Sequence, residues 1–311
     1  RLHGGACRWR RPGRGRVFRC GAVPVRDASF DGGLPPMLVV RAVSDALAED
    51  LGTRGDVTTL STVSAEAQAA ATFGARRAGV VAGLDVARAA FHAFDADVAF
   101  EALQRDGDSV EAGAVVARVS GSARSLLTAE RVALNYLCHM SGIATLTRRF
   151  VDAVAGTTAR IVDTRKTTPG LRAFEKYAVR CGGGHNHRSG LYDAILIKDN
   201  HIVAAGGVEA AIAAARRHAG HMVKIEVEVG SLEELEAALT YPLDAVLLDN
   251  MSPETLRQAV RIVDGRVTTE ASGGVSLDTV RAIAESGVDL ISVGALTHSA
   301  PILDLGLDFA P

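Results

Sequence analysis

The sequence has little cysteine and no long hydrophobic run. Its four cysteines, Cys7, Cys20, Cys138 and Cys181, lack the paired spacing of a zinc site such as C-x-x-C. They are also too scattered for a disulfide framework, which favours a reducing cytoplasm. We therefore expect Cys138 and Cys181 to be small packed residues rather than nucleophiles. No apolar run approaches the ~20 residues that a membrane-spanning helix needs, so we expect no membrane association.

Charge is nearly balanced over the chain but is unevenly distributed. The formal net charge is −2, whereas residues 1–36 hold eight arginines against two aspartates, a local +6, so that residues 37–311 carry −8. This Arg/Gly-rich segment shows no hydrophobic period and ends in Leu34-Pro35-Pro36. We predict that it is a disordered or artefactual tail, without a nucleic-acid partner. A basic arm for nucleic acid and a transit peptide are the alternatives.

Residues 37–140 have the pattern of a small α+β domain with a largely antiparallel sheet. Apolar residues recur at helical spacing over residues 38–51, and Gly52 stops this helix. Strand-like stretches follow at residues 67–75, 96–102 and 115–119. A further helix is predicted from Ala123 to about Ala155, interrupted near Ser141-Gly142.

Residues 141–295 show a different rhythm, in which short β-branched runs alternate with amphipathic helices. Six βα units in about 150 residues indicate a parallel α/β barrel, complete or nearly so. Ligands of such barrels bind at the C-terminal ends of the strands, so residues at those ends are candidates for function. The predicted strands are residues 160–163, 194–198, 224–229, 245–249, 267–271 and 290–293.

Cationic side chains follow several of these strands. Arg165 and Lys166 come after the first strand and Lys198 ends the second, while His187-Arg188 follow a run of three glycines. A polyanionic substrate explains this group better than a solvated surface does. By contrast, Arg172, Lys176 and Arg180 share one helical face at four-residue spacing, which predicts a solvated surface for those three.

The last two strands end in glycine-containing loops. Ser272-Gly273-Gly274 follows the fifth strand and Gly294-Ala295 follows the sixth. Late barrel loops with bare backbone amides commonly bind phosphate, and Ser272 can add a hydroxyl donor. A pair of tight turns is the alternative interpretation.

Two acidic residues occupy neighbouring strand ends. Glu228 and Asp249 could jointly hold a magnesium ion or ribose hydroxyls. A structural carboxylate paired with Lys198 is the alternative, and spacing alone does not decide between them. Earlier in the chain Arg131, Asn135 and His139 form one helical stripe, which by itself is typical of a solvent-facing surface.

Eight collinear motifs between about residues 38 and 305 resemble the type II phosphoribosyltransferases, and most closely the quinolinate phosphoribosyltransferase family. The three longest are DTRKTTPG at 163–170, GGGHNHRSGL at 182–191 and LIKDNH at 196–201. The others are AEDLG at 48–52, GDVTT at 55–59, Glu130-Arg131 with Leu134-Asn135, SGIAT at 141–145 and EVEV at 226–229.

This resemblance implies an N-terminal α/β sandwich, an incomplete seven-stranded α/β barrel and a C-terminal segment, residues 296–311, that returns to the first domain. It implies a pentosyltransferase that transfers phosphoribosyl from phosphoribosyl pyrophosphate to quinolinate with decarboxylation. The products are nicotinate mononucleotide, pyrophosphate and CO2, in de novo NAD biosynthesis. The family works as a homodimer or higher homo-oligomer with shared active sites.

The resemblance also implies roles for individual residues. Quinolinate would be held by Thr164, Arg165, Lys166, His187, Arg188 and Lys198, and by Arg131 of the partner chain. Glu228 and Asp249 would serve the Mg²⁺-bound phosphoribosyl pyrophosphate, directly or indirectly, with Lys166 and Lys198 as the other catalytic residues. The loops Ser272-Gly273-Gly274 and Val293-Gly294-Ala295 would surround its phosphate.

Three other functions fit parts of the pattern. A related type II transferase acting on nicotinate would leave at least one cation unpaired, which is costly in a buried site. A Schiff-base aldolase could use Lys198 at its strand end, although Asp199 is adjacent and Glu228 plausibly near. A non-catalytic anion-binding barrel would gain nothing from the carboxylates Glu228 and Asp249.

Overall fold

The computed structural model describes residues 33–309, so the predicted tail lies outside the described residues except for its last four. Within this range no helix combines the length and the apolar character that crossing a bilayer requires. The first helix begins at Pro36, where proline is tolerated because the first helical N–H groups have no partner inside the helix.

The N-terminal part packs helices against an antiparallel sheet. Its helices are α1 (Pro36–Leu51), α2 (Val57–Thr62), α3 (Leu84–Phe94) and the long α4 (Ala123–Ala153). Its strands are β1 (Gln68–Ala75), β2 (Gly79–Val80), β3 (Ala99–Ala102), β4 (Ser109–Val110) and β5 (Val115–Ser122). Strand β1 pairs antiparallel with β5, and β5 pairs antiparallel with β3, so the sheet is antiparallel as predicted. Strands β2 and β4 form a separate short ladder.

Aromatic packing holds α3 against this sheet. The rings of Phe73 on β1, Phe91 on α3 and Phe100 on β3 lie with centroids 6.0–6.2 Å apart. Phe73 and Phe91 are fully buried. Such tilted and edge-on aromatic pairs contribute about 0.5–1.5 kcal/mol beyond the burial of their area.

The long helix α4 is continuous, so the predicted interruption near Ser141-Gly142 is wrong. Both residues are buried contacts with neighbouring segments rather than a break in the helix. The Ser141 Oγ accepts a hydrogen bond from the Ala82 N–H at 2.9 Å. A Cβ on Gly142 would lie 2.2 Å from the carbonyl oxygen of Pro301, so glycine is required there by close packing.

The second part of the chain alternates strands and helices. Its strands are β6 (Arg160–Val162), β7 (Ile195–Ile197), β8 (Ile225–Val229), β9 (Ala245–Asp249), β10 (Thr268–Ser272) and β11 (Leu290–Ser292). Its helices are α5 (Arg172–Cys181), α6 (Asp199–Ala205), α7 (Val208–His218), α8 (Leu232–Ala238), α9 (Pro253–Val263), α10 (Val280–Ala284) and α11 (Ala295–His298).

These six strands form one parallel sheet in the order β6-β11-β10-β9-β8-β7. An isolated parallel bridge between Val162 and His185 adds a seventh position beside β6. The two ends of this series are therefore the segment at His185 and strand β7, which is the arrangement of an incomplete barrel. The last strand, β12 (Leu305–Phe309), returns to the N-terminal sheet and pairs antiparallel with β1.

Side chains alternate between the two faces of each barrel strand. On β8, Ile225, Val227 and Val229 are buried on one face, and Glu226 and Glu228 lie on the other. Register then aligns the functional positions, because Glu228 pairs with Leu247 of β9, and Asp249 of β9 pairs with Ser272 of β10.

Candidate active site

A cavity of about 800 Å³ opens at the C-terminal ends of the barrel strands. It collects four cationic side chains, three carboxylates and the glycine loops that follow β10 and β11. Every residue predicted for the site lines this cavity except Arg131 and Val293. The lining residues that we predicted are Thr164, Arg165, Lys166, His187, Arg188, Lys198, Glu228, Asp249, Ser272, Gly273, Gly274, Gly294 and Ala295.

The loop after β6, which carries Arg165 and Lys166, is anchored by the buried carboxylate of Asp163. This carboxylate is fully buried and pairs with the Lys176 ammonium of α5. Its Oδ1 accepts the His187 N–H at 2.9 Å, and its Oδ2 accepts from Asn186 Nδ2 at 2.6 Å. Asp163 thus ties the loop after β6, helix α5 and the segment before Arg188 into one support for the cationic side chains.

The prediction that Lys176 lies on a solvated face is wrong. Lys176 is only 5% exposed, and its Nζ also donates to the His187 carbonyl at 3.0 Å. The four-residue spacing does not predict this buried ion pair, because the partner carboxylate of Lys176 precedes it by 13 residues. Burial raises the pKa of Asp163, and the Lys176 charge offsets part of that rise.

Replacing Lys176 by methionine is expected to lower the free energy of unfolding by about 3–5 kcal/mol at pH 8, because it leaves the Asp163 charge buried and unpaired. The substitution preserves side-chain volume, so the loss reports the charge. Without Lys176 the pKa of Asp163 rises further, so the deficit should shrink as the pH falls and Asp163 takes up a proton. Urea denaturation at pH 8 and pH 5 measures both effects.

The matched control is Arg257→Met, which breaks an exposed pair with Glu254 on α9. A solvent-exposed pair is worth at most about 1 kcal/mol, so this variant should remain close to the unsubstituted protein. Equal losses in the two variants would contradict the anchoring role of Lys176.

Arg188 and Arg165 lie close enough for their charges to interact. Burial lowers the pKa of Arg188, and the Arg165 charge lowers it further. The Arg188 guanidinium donates to the Ala194 carbonyl at 3.2 Å. The Nε of Arg165 is buried and has no hydrogen-bond partner within residues 33–309. Neither guanidinium group forms an ion pair within residues 33–309, although Glu226 and Asp193 raise the pKa of Arg188. Two neighbouring guanidinium groups without an ion-pair partner favour an anionic ligand.

His187, which we predicted to hold the substrate, lines the cavity. Its Nδ1 accepts the Arg188 N–H at 2.7 Å, which places the ring hydrogen of a neutral imidazole on Nε2. That Nε2 lies 3.2 Å from Glu226 Oε2 and 3.6 Å from Glu270 Oε1. Both ring nitrogens therefore contact protein atoms.

Glu226 and Glu270 are two carboxylates near the cavity for which no role was predicted. Each stands two positions before a predicted site residue on the same strand, Glu228 on β8 and Ser272 on β10. Side chains two positions apart in a strand lie on the same face. The spacing from Glu228 and Ser272 could therefore have identified Glu226 and Glu270 as residues near the site.

Glu228 and Lys198 form an ion pair across the mouths of β7 and β8. This contact agrees with the structural alternative for Glu228, a carboxylate paired with Lys198, and Glu228 also lines the cavity. It also disfavours the Schiff-base interpretation, because a Schiff-base lysine needs surroundings with few anions, whereas Lys198 has the Glu228 carboxylate beside it. Asp249 accepts a hydrogen bond from Asn250 Nδ2 at 2.6 Å and forms no ion pair with any described residue.

The loop after β10 requires glycine for conformation and for space. Gly273 and Gly274 have φ values of +95° and +60°, which side chains rarely adopt. A Cβ on Gly273 would lie 2.1 Å from Asn250 Oδ1. The next helix, α10, begins only at Val280, so the loop does not lead directly into a helix.

In the loop after β11, the buried side chain of Val293 cannot reach a ligand in the cavity. This side chain is 2% exposed, and its N–H already donates to the Val162 carbonyl at 2.9 Å. Gly294, in contrast, lies beside Lys166, whose Cδ would be 3.0 Å from a Cβ at this position. The Lys166 carbonyl also accepts a hydrogen bond from Thr297 Oγ1 at 2.7 Å. This bond fixes the loop after β6 against α11.

Arg131 lies on α4 and is exposed, outside the cavity of its own chain. Asn135 on the same stripe is also exposed, while His139 is half-buried and contacts the buried Glu175 at 3.0 Å. The two cysteines of the described range behave as predicted, since both are free and at least half-buried. Burial raises the pKa of the Cys181 thiol to about 12.

The fold and the cavity define an α/β-barrel protein with a basic, carboxylate-containing site at the C-terminal mouth. The chain belongs to the quinolinate phosphoribosyl transferase family. The family's N-terminal domain matches residues 56–141, and its C-terminal domain matches residues 143–308.

Similar proteins agree with this assignment. The chain is 49% identical over 268 residues to the nicotinate-nucleotide pyrophosphorylase [carboxylating] of Mycobacterium leprae, covering 85% of this chain and 94% of the relative. It is 45% identical over 260 residues to the probable enzyme of that name from Bacillus subtilis, covering 84% and 89%. The solved structure of NadC from Streptococcus pyogenes superposes with a TM-score of 0.85 at 44% identity, covering 90% and 99%.

Proposed function

We propose that this protein transfers the phosphoribosyl group of phosphoribosyl pyrophosphate to quinolinate and releases CO2. The observation that carries the proposal is the convergence of Arg165, Lys166, Arg188 and Lys198 on one cavity that also holds glycine loops and carboxylates. The products are nicotinate mononucleotide and pyrophosphate. Family membership and the printed activity of the relatives support the same reaction.

The two adjacent carboxylates of quinolinate repel one another and need separate cationic partners. Arg165 and Arg188 supply two guanidinium groups, and Lys166 supplies a third cation that lines the same cavity. Thr164 adds a hydroxyl group, and its Oγ1 accepts the Lys166 N–H at 3.0 Å. Charge-assisted bonds of this kind also fix the orientation of the pyridine ring.

The chemistry then needs positioning and charge neutralisation. The ring nitrogen attacks C1 of the ribose as the bond from C1 to the pyrophosphate oxygen breaks, and lysine cations neutralise the charge on that oxygen. Next, the bond from C2 of the ring to its carboxylate breaks and CO2 leaves. The electron pair stays on C2 beside the pyridinium nitrogen until C2 takes up a proton.

We assign the ribosyl and phosphate groups to the part of the cavity lined by the loops after β10 and β11 and by the carboxylates of β8 and β9. The backbone amides of the Ser272-Gly273-Gly274 loop and of Gly294-Ala295 suit phosphate oxygens. Glu228 and Asp249 suit ribose hydroxyls or a magnesium ion, because carboxylate oxygens are the ligands that Mg²⁺ prefers. When bound, the ion would supply charge neutralisation at the pyrophosphate.

The magnesium requirement is expected to depend more on Asp249 than on Glu228. Glu228 already has a cationic partner in Lys198, whereas Asp249 forms no ion pair within residues 33–309. Asp249→Asn should therefore raise the Mg²⁺ concentration for half-maximal turnover by about tenfold or more, and Glu228→Gln by less. Mg²⁺ titrations of both variants, matched as acid-to-amide changes, measure this difference, and the reverse order would contradict it.

We further propose that the active unit is a homodimer, or a higher oligomer, in which Arg131 completes the site of the neighbouring chain. An exposed arginine outside its own cavity supports this arrangement, since an isologous interface presents each patch to the other subunit. We assign the protein to a reducing cytoplasm, which agrees with the free Cys138 and Cys181.

The test of the proposed reaction is an assay with quinolinate and phosphoribosyl pyrophosphate that follows CO2 and nicotinate mononucleotide together. We expect both products in equal amounts. Nicotinate serves as the alternative substrate, and it should be used poorly because it leaves one cation of the cavity unpaired. Release of pyrophosphate with nicotinate but not with quinolinate would overturn the proposal.

A further inference from the structure

A cluster of three titratable side chains lies at the floor of the cavity, and the proposed mechanism does not use it. Its members are His187, Glu226 on β8 and Glu270 on β10, and their nearest ligand-type atoms all lie within 4.8 Å of one another. His187 and Glu270 line the cavity. Two carboxylates this close, with an imidazole as their shared neighbour, cannot both carry a full charge without cost.

Glu270 is the most isolated member of the cluster. It is 1% exposed, and its Oε1 has no hydrogen-bond partner within residues 33–309. The groups that act on its charge are Glu226, His187 and Asp163, together with the hydroxyl of Ser292 on β11. Its register partner on β9 is Leu247, which is apolar. Burial, followed by repulsion from Glu226, raises the pKa of Glu270 to about 7.

A proton suits this cluster better than a metal ion does. His187 Nδ1 accepts a backbone hydrogen bond, so the ring hydrogen points from Nε2 toward the two carboxylates. A metal ion would need a lone pair on that same Nε2 and would displace the hydrogen. The described part of the chain also offers no Lys or Arg side chain in an ion pair with Glu270.

We propose that Glu270 is a positioning residue for the aromatic dicarboxylate substrate, acting through His187 by holding a proton under the cavity. In its acid form Glu270 adds no charge to the floor of the basic site. In its ionised form it places a second negative charge behind His187, beside that of Glu226, and opposes a dianion bound above. This inference rests on the proposed function.

The expected pH dependence has a definite sign. Because the acid form favours binding and the pKa of Glu270 is raised, affinity is highest below that pKa and falls as pH rises through it. If binding needs the acid form, linkage predicts that KM for quinolinate rises by about tenfold between pH 6 and pH 8. The carboxylates of quinolinate itself are ionised throughout this range.

The first experiment compares KM for quinolinate at pH 6, 7 and 8 in the unsubstituted enzyme, Glu270→Gln and Glu254→Gln. Glutamine keeps the shape and cannot ionise, so Glu270→Gln should lose most of the rise in KM. What remains would come from His187, whose pKa is lowered by burial but raised by more through Glu226 and Glu270. Glu254 is exposed on α9, and its variant should retain the tenfold rise. Parallel pH profiles in all three proteins would overturn the inference while leaving the proposed function intact, since turnover by the unsubstituted enzyme tests the latter.

A second measurement needs no variant and no turnover. Calorimetric titration with phthalate, a benzene dicarboxylate, in buffers of different ionisation enthalpy counts the protons taken up on binding. We expect uptake of about one proton at pH 8, falling toward zero at pH 6, because binding restores the acid form. Phthalate binding without proton uptake at pH 8 would overturn the inference even if Glu270→Gln failed to fold.

Discussion

Replacing either Lys166 or Arg188 by alanine is expected to reduce kcat/KM for quinolinate at least about 100-fold without lowering the melting temperature appreciably. Each variant leaves one anionic group of a bound substrate in the cavity without its cationic partner, and the loss of one such donor costs about 2.7–4 kcal/mol. The fold should persist, because Lys166 is exposed and Arg188 is only partly buried. Steady-state kinetics and thermal melting measure the two effects separately.

The matched control is Lys224→Ala. Lys224 precedes β8 at the opposite end of the barrel strands, is exposed, and pairs with the half-buried Asp244. This variant should keep its kinetic constants, because its charge lies far from the strand ends that form the cavity. Near-normal turnover in both Lys166→Ala and Arg188→Ala would remove these residues from the site.

Mixing two inactive chains is expected to restore activity if Arg131 serves the neighbouring subunit. Arg131→Ala and Lys198→Ala should each be inactive alone. In a heterodimer of the two, one site combines the intact Lys198 of one chain with the intact Arg131 of the other, and the second site carries both lesions. Activity should therefore reach at most about half that of the unsubstituted dimer.

The control for this experiment places both substitutions in one chain and pairs it with an unsubstituted chain. Under the shared-site arrangement each site then contains one lesion, so this heterodimer should be inactive. If Arg131 acts within its own subunit, the results reverse, and the double variant paired with an unsubstituted chain is half-active. Differently tagged chains, purified in tandem, give heterodimers of known composition.

Strand boundaries were predictable from sequence because burial follows a local period. Strand β9 (Ala245–Asp249) was predicted without error, and the other barrel strands were predicted within two residues at each end. The parallel barrel followed from the alternation of strands with helices. Convergence of the strand ends on one side then follows from the topology of a parallel sheet, which is why most predicted site residues line one cavity.

Predictions from local patterns failed where residues distant in the sequence determine the local structure. Ser141-Gly142 has the composition of a helix break, yet α4 continues because residues 82 and 301 pack closely against it. Lys176 has the spacing of a solvated stripe, yet it is buried against Asp163. In both cases the deciding partner lies many residues away, and its position depends on the packed fold.

Sequence alone therefore determined the class of fold, the family motifs and most of the residues that line the cavity, since each depends on order along the chain. Tertiary structure decided which charges are paired and which remain for a ligand. Glu228 is paired with Lys198, whereas Asp249 accepts a hydrogen bond from Asn250 and forms no ion pair within residues 33–309. It also decided that Glu270 lies buried beside His187 and Glu226, because strand register and the loop after β6 bring together residues separated by more than 80 positions. Charge in a protein depends on burial and on neighbours across the fold, and these are properties of the packed chain rather than of its sequence pattern.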